Sequence, residues 1–183
     1  MFKIIYPESD ATLYEALPQY NTGLDEILEV GKRLSSISGS NLLKSRSVIK
    51  FDMADVNSAL SKYNVNVENC KFMLQLYTTH AKNLPANYTI NANLVGKAWN
   101  NGTGFESVNV PITDGVCWNS PKSGSYFWTS GSQDINISGS SLYISGSGKG
   151  GSWLYQSGSG VFGSTSFSQS FSVQPGLNLN ESF

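Results

Sequence analysis

The sequence of 183 residues contains few charged residues, two cysteines, one histidine and no long apolar run. Charged residues make up 14% of the chain, and the formal net charge is −1. Proteins that bind nucleic acid neutralise phosphates with clustered lysine and arginine, so this composition argues against a nucleic-acid partner. No run approaches the roughly eighteen apolar residues of a membrane-spanning helix, and residues 1–8 lack the apolar stretch of a signal peptide. We therefore expect no membrane partner and synthesis in a cytoplasm.

The scarcity of cysteine and histidine leaves little material for a catalytic or zinc site. Cys70 and Cys117 are too few for a dense disulfide framework, which favours two reduced, buried thiols. His80 has no identifiable nucleophile or orienting partner, and the three residues lack the close spacing of zinc ligands. A glycoside hydrolase would need a cleft with paired carboxylates, and the sequence places no such pair together. We therefore predict a protein without catalytic residues.

Aromatic residues make up 12% of the chain, and hydrophobic side chains repeatedly alternate with polar ones. Such alternation is typical of half-buried antiparallel strands, so the sequence predicts an all-β fold built as a β-sandwich. The predicted strands are residues 1–7, 11–17, 26–32, 47–53, 69–77, 88–95 and 108–112. The side chains predicted to fill the core are Ile49, Phe51, Phe72, Leu74, Leu76, Ile90 and Leu94.

Glycine-rich turns and one short helix separate these strands. The turn after Trp99 contains Gly102 and Gly104, and both glycines can adopt positive φ. Asp55 is predicted to cap a helix of two to three turns that ends at Leu60. The side chains of this helix that would face inward are Val56, Ala59 and Leu60.

Residues 120–172 differ in composition from the rest of the chain, because about half of them are serine or glycine. Composition alone would indicate a flexible linker. Large apolar side chains occur along the whole segment, however, and such side chains are rare in solvated, disordered linkers. We predict an insertion of two hairpins with mobile tips at residues 146–151 and 157–160, within one domain of residues 1–183.

The four tryptophans leave two alternatives open for this insertion. Trp99 and Trp118 lie beside predicted core strands, where we expect them to be core or turn anchors. Trp128 and Trp153 lie in the insertion. If they are exposed side by side, they form a stacking platform for a sugar. If they are buried, they pin the insertion to the sandwich.

The order of motifs in residues 71–118 resembles a known family. A leucine-rich strand is followed by a Leu-Pro loop, an alternating strand, a Trp-x-x-Gly-x-Gly turn and an Asp-Gly-Val-x-Trp segment. This order is similar to that of the DNRLRE-type domain. Residues 10–15 and 21–31 resemble its opening strands, and residues 45–52 resemble its next core strand. The resemblance implies an antiparallel jelly-roll module, which occurs in secreted carbohydrate-active proteins and in virion structural proteins of tailed bacteriophages. It implies no shared catalytic site.

The resemblance also implies ligands and partners. Family members can hold calcium at acidic turns, which makes Asp25, Glu26 and Asp114 candidate calcium ligands; no other cofactor is expected. The expected function is a non-enzymatic structural component of a bacteriophage virion, used as a decoration, collar, neck or fibre protein. It would assemble in the host cytoplasm with other virion proteins, in a symmetric oligomer. The alternative is a carbohydrate-binding module that recognises a surface glycan, either free or displayed on a virion.

The resemblance places further closing strands beyond Phe183. The opening strands of the sandwich would then need partners from a longer chain or from a neighbouring subunit, because an unpaired sheet edge recruits other strands.

Overall fold

The computed structural model describes residues 2–35, 41–80, 87–107, 110–122, 126–135, 141–157, 160–161 and 163–170. The elements in chain order are β1 (Ser9–Tyr14), β2 (Gly31–Leu34), β3 (Leu42–Lys50), α1 (Met53–Tyr63), a 3-10 turn (Val67–Asn69), β4 (Asn87–Ala92), β5 (Ser130–Asp134), β6 (Leu142–Ser147), β7 (Ser152–Gln156), β8 (Gly160–Val161) and β9 (Thr165–Ser170). The strands form three antiparallel sheets, with orders β1-β3-β2, β4-β9 and β5-β6-β7-β8. The all-β class is therefore confirmed, while the jelly-roll connectivity stays a prediction.

The first sheet has two different faces. Ala11 pairs with Val48 and Leu13 with Arg46, so these four side chains share one face. Tyr14 lies on the opposite face of β1. Because all of Ala11 to Tyr14 is buried, both faces of this strand are covered by other parts of the chain.

The core lies against the first of these faces and is rich in tryptophan. The cluster of buried side chains consists of Ala11, Leu13, Val48, Trp99, Val116, Trp118 and Trp128. The indole N–H of Trp128 donates a hydrogen bond of 3.0 Å to the carbonyl of Cys117, so the one polar atom of this buried ring has a partner. The expectation that Trp99 and Trp118 anchor the core is confirmed.

The outer edge of β1 is closed by a side chain. The Thr22 hydroxyl accepts a hydrogen bond from the Thr12 N–H at 2.9 Å and donates one to the Thr12 carbonyl at 2.7 Å. A neighbouring strand would bond to the same two backbone groups. Part of the edge that was predicted to need another subunit is thus satisfied within the chain.

Asn21 joins three distant segments of the chain. Its amide nitrogen donates to the carbonyls of Asn101 at 2.5 Å and Val116 at 2.8 Å. Its amide oxygen accepts from the backbone N–H groups of Gly23 at 3.2 Å and Gly104 at 2.7 Å. We call this arrangement the Asn21 hub. It fixes the turn after Trp99 against the segment that follows β1.

The two glycines of that turn serve different purposes. Gly102 has a φ of 82°, which favours glycine. Gly104 does not have positive φ, but a Cβ at this position would collide with the Asn21 carbonyl. Gly102 therefore uses the positive φ that glycine allows, whereas close approach of the backbone is the reason for glycine at Gly104.

The Ser/Gly-rich segment forms the third sheet, which confirms that it is structured. Its turn at residues 148–151 is packed against the core: the Gly150 N–H donates to the Trp118 carbonyl at 2.6 Å. The Arg46 guanidinium donates to the Gly150 carbonyl at 2.5 Å and lies over the rings of Trp118 and Trp153, at 5.3 and 5.9 Å. These contacts argue against a mobile tip at residues 146–151.

The second sheet agrees well with the sequence. β4 begins one residue before the predicted strand 88–95 and ends three residues before its end, and its exposure alternates as expected, with Tyr88, Ile90 and Ala92 half-buried. Its partner is β9, which lies 73 or more residues further along the chain and was not predicted as a strand.

Several predicted strands are wrong. Residues 2–7, 70–77 and 110–112 are in no strand of the described structure, and β2 begins at Gly31, near the end of predicted strand 26–32. Phe72 and Leu94, two of the predicted core residues, are exposed. The other five, Ile49, Phe51, Leu74, Leu76 and Ile90, are half-buried. Alternation indicates a strand only where a partner supplies the hydrogen bonds.

The end of β3 explains the error at residues 47–53. Asp52 accepts a hydrogen bond from the Ala54 N–H at 2.8 Å and caps α1, three residues before the predicted cap at Asp55. The strand therefore stops at Lys50, and Val48 faces the core instead of Ile49. The helix continues to Tyr63, and its predicted inward side chains are half-buried.

In the described part of the chain, no helix combines the length and apolar composition needed to cross a membrane.

Candidate functional site

The structure does not bring the two predicted sugar-binding tryptophans together as a platform. Trp128 is 2% exposed, so its ring has no face to offer a sugar. Trp153 is half-buried in β7, where the Arg46 guanidinium lies over its ring. The position of Trp128 fits the alternative, in which the ring pins the Ser/Gly-rich segment to the core.

Both carboxylate oxygens of Asp114 accept hydrogen bonds from Thr103 within a turn, which reduces their capacity to bind a metal ion. One oxygen accepts the Thr103 N–H at 3.0 Å, and the other accepts the Thr103 hydroxyl at 2.6 Å. The side-chain and backbone hydrogen bonds from Thr103 lower the pKa of Asp114. Among the described residues, no three His, Cys, Asp or Glu side chains are grouped so that they could hold a metal ion. The predicted calcium ligands Asp25, Glu26 and Asp114 therefore do not form one site.

His80 and Cys117 lie where the sequence suggested. His80 is exposed. Cys117 is a buried free thiol, and burial raises its pKa. A raised pKa lowers the thiolate fraction, which is the reactive form.

The strongest candidate site is a cleft on the second face of the first sheet, which we call the acidic cleft. Its volume is about 360 Å³. The lining residues are Tyr14, Asp25, Glu26, Ile27, Glu29, Phe105, Glu106 and Ser107. Three parts of the chain contribute to it: β1, the segment between β1 and β2, and the turn that follows the Asn21 hub.

Backbone hydrogen bonds position the acidic side chains. The Asp25 carboxylate accepts the Glu106 N–H, at 3.1 and 3.3 Å for its two oxygens. The Leu24 N–H donates to the Gly104 carbonyl at 3.0 Å, next to the hub. On the other side, the Glu29 N–H donates to the Thr12 hydroxyl at 3.0 Å. The Asp25 carboxylate is thereby bonded to the turn that carries Glu106, and the Glu29 backbone is bonded to β1.

Burial and the charges of neighbouring carboxylates raise the pKa values of two carboxyl groups in the cleft. Burial raises the pKa of Asp25, and the charge of Glu29 raises it further, against the hydrogen bond from the Glu106 backbone. Burial also raises the pKa of Glu106, with the charges of Glu29 and Asp25 adding to the effect and Arg33 opposing it. Burial, followed by the charges of Glu29 and Glu106, raises the pKa of Tyr14. Arg33 lies over the Tyr14 ring, 6.0 Å from its centroid.

Such a cleft has the chemistry of a polar ligand site. Carboxylates accept hydrogen bonds from hydroxyl or ammonium groups, and carboxyl groups with raised pKa retain protons to higher pH. The structure thus brings together acidic residues that the sequence did not pair. Asp25, Glu26 and Glu29 are close in sequence and were a visible signal. Glu106 lies near these residues because the Asn21 hub holds the turn that carries it, and no sequence pattern predicted this hub.

Protein-family models, curated proteins and solved structures were compared with the chain, and none matches. The resemblance of residues 71–118 to the DNRLRE-type domain therefore stays a prediction.

Proposed function

We propose that the protein is a non-enzymatic structural component of a multi-subunit particle, and that the particle is a bacteriophage virion. The observation that carries the first part is the exposure of large apolar side chains. In the described part of the chain, nine apolar residues are buried and twenty-one large ones are exposed. Monomeric soluble proteins rarely expose large contiguous apolar patches, whereas proteins that assemble bury such patches against their partners.

The exposed apolar residues occur in groups along the chain. The groups are Phe2, Ile4 and Tyr6; Leu24, Ile27 and Val30; Phe72, Met73 and Tyr77; and Tyr126 and Phe127. Single exposed leucines are normal, but aromatic residues, which occur in three of these four groups, are enriched at protein–protein interfaces. The low charge of the chain is compatible with such contacts, because the centres of interfaces are depleted in charged residues.

The virion is the part of the proposal that rests on the resemblance of motifs. Within a virion, the role would be that of a decoration, collar, neck or fibre protein, in a symmetric oligomer with other virion proteins. Burial raises the pKa of Cys117, which lowers the fraction of its thiol in the reactive thiolate form.

Sedimentation velocity over a range of concentrations tests the assembly. The purified chain should form a defined oligomer or associate with increasing concentration, and His80→Ala should behave identically, because His80 is an exposed polar side chain outside the apolar groups. A chain that stays monomeric and unfolds cooperatively would contradict the proposal. Mass spectrometry and electron microscopy of particles from the native source test the virion location.

A second candidate function is binding of a neutral glycan in the acidic cleft. The observation that favours it is the combination of a partly exposed Phe105 ring with several carboxylates. Aromatic faces and hydrogen-bond acceptors together recognise sugars.

Calorimetric titration with neutral oligosaccharides tests this candidate. Phe105→Ala and Glu106→Gln should each weaken binding about tenfold or more, as expected for loss of about 1.4 kcal/mol. Glu68→Gln is the matched control, because Glu68 is an exposed acid outside the cleft. Trp153→Ala reports on the site expected from the sequence. Binding that is lost only with Trp153→Ala would move the sugar site to the third sheet.

A further inference from the structure

An apolar arm precedes the first sheet. Residues 2–7 are in no strand, and Phe2, Ile4 and Tyr6 expose 82%, 55% and 78% of their surface. Apolar residues at every second position are the pattern of a strand with one buried face. In the described structure, nothing covers that face.

The arm lacks a partner because β3 ends beside it. The pairing of β1 with β3 extends one residue beyond β1, where the Glu8 N–H donates to the Lys50 carbonyl at 2.8 Å. The Lys50 ammonium also pairs with the Glu8 carboxylate at 3.1 Å. β3 stops at Lys50, and the chain turns into α1 at its Asp52 cap. The arm therefore continues past the point where its neighbour has left the sheet.

The same sheet offers an open edge at its other end. β2 is an edge strand, and all four of its residues are exposed. Leu34 of β2 pairs with Leu42 of β3, and both leucines are exposed. An exposed strand edge with adjacent apolar side chains is a template for strand addition.

The arm cannot reach the β2 edge of its own chain. It leaves the sheet beside Lys50, whereas Leu34 pairs at Leu42, the opposite end of β3. At about 3.3 Å per residue, these ends are roughly 26 Å apart, and the arm points away from β2. An arm of this length spans only about 20 Å when extended. If residues 2–6 pair with a β2 edge, that edge therefore belongs to another copy of the chain.

The area agrees with a dimer. Two aromatic side chains of roughly 200 Å² each, mostly exposed, and a half-exposed isoleucine offer about 400 Å² of apolar surface per arm. If two copies exchange arms, the arms remove roughly 800 Å² from water, and the partly exposed Leu34 and Leu42 of each acceptor bring the total to about 1,200 Å². That is the lower end of the range for specific, stable protein–protein interfaces.

We propose that two copies of this chain exchange arms, with residues 2–6 of each copy added as a strand to the β2 edge of the other. The apolar side of the arm covers Leu34 and Leu42. This inference deepens the proposed function and rests on it, because it names a second copy as a partner and the surface that the partner uses.

Sedimentation equilibrium of arm variants is the first test. Phe2→Ser combined with Tyr6→Ser should raise the dissociation constant about tenfold or more, while Val67→Ser, an exposed apolar residue outside the sheet, should leave it unchanged. If the wild-type chain is monomeric, both this proposal and the proposed function fail. If it associates and the arm variant associates equally well, only the arm exchange fails.

Disulfide trapping identifies the acceptor, even if the arm variants fold poorly. A chain with Ile4→Cys is mixed with a separate chain carrying Leu34→Cys, both in a background with Cys70→Ser and Cys117→Ala. Oxidation should give a cross-linked dimer of the two chains. The matched control replaces the second chain with one carrying Val67→Cys, which should not cross-link. Equal cross-linking in the control, or none with Leu34→Cys, overturns the assignment of the β2 edge.

Discussion

Replacing Asn21 by alanine tests whether the hub holds the fold together. The side chain is fully buried and makes four hydrogen bonds, two as donor and two as acceptor. Asn21→Ala would leave the carbonyls of Asn101 and Val116 without their donor. It would also leave the N–H groups of Gly23 and Gly104 without their acceptor.

The magnitude follows from these four orphaned groups. A buried polar group that loses its partner costs about 1–3 kcal/mol, and water entering the space left by the side chain recovers part of that. We expect Asn21→Ala to lower the free energy of unfolding by about 4 kcal/mol. That is exceptional for one substitution and a large part of the 5–15 kcal/mol that is typical of a whole domain.

Urea unfolding followed by tryptophan fluorescence measures the effect. Trp99 and Trp118 flank the segments that the hub joins, so their emission reports on the region. Asn91→Ala is the matched control: Asn91 is exposed in β4, and its loss should change stability by less than about 0.5 kcal/mol. If Asn21→Ala costs less than about 1 kcal/mol, the hub is not the structural centre that its hydrogen bonds indicate.

Three further predictions address the core, the cleft and the third sheet. Trp128→Ala should cost roughly 3–5 kcal/mol in urea unfolding, because it empties an aromatic site in the core; a cost below about 1 kcal/mol would contradict the burial of this ring. The pKa of Glu106 lies above its usual 4.5 in the folded protein, so this group favours folding at acidic pH and loses that contribution as the pH rises through the folded-state pKa. Glu106→Gln should therefore gain stability relative to the wild type between acidic and neutral pH, and a pH-independent difference would refute the raised pKa. In amide hydrogen exchange, the Gly150 N–H, bonded to the Trp118 carbonyl, should exchange slowly, whereas rapid exchange would restore the mobile tip.

The sequence predicted best where local signals decide the structure. β4 was placed nearly correctly and α1 approximately, because alternation and helix-forming patterns are properties of neighbouring residues, although α1 begins and ends about three residues outside its predicted limits. The tryptophan anchors Trp99 and Trp118 were also predictable, since a large aromatic ring beside a core strand buries much apolar surface when it packs inward. Alternation gave the right class of fold because it occurs in many short segments.

Alternation failed where the partner strand is decided elsewhere. Phe2, Ile4 and Tyr6 are apolar at every second position, yet no described strand of the same chain lies beside residues 2–7. In β3, the helix cap at Asp52 ends the strand early and takes Met53 out of the sheet. Neither effect can be found by counting apolar residues within the strand itself.

The candidate site was harder to predict than the fold, because it depends on a polar side chain with no distinctive motif. Asn21 binds the Gly104 N–H, and the residues that follow, Phe105 and Glu106, enter the acidic cleft. The other wall begins four residues after Asn21, where Asp25 accepts the Glu106 N–H. The distance between these carboxyl groups is therefore set by the hub, while the tryptophan core supports the sheet from its other face. Because β1 separates core from cleft, a substitution at the hub should alter both the stability and the cleft, whereas one in the core should alter mainly the stability.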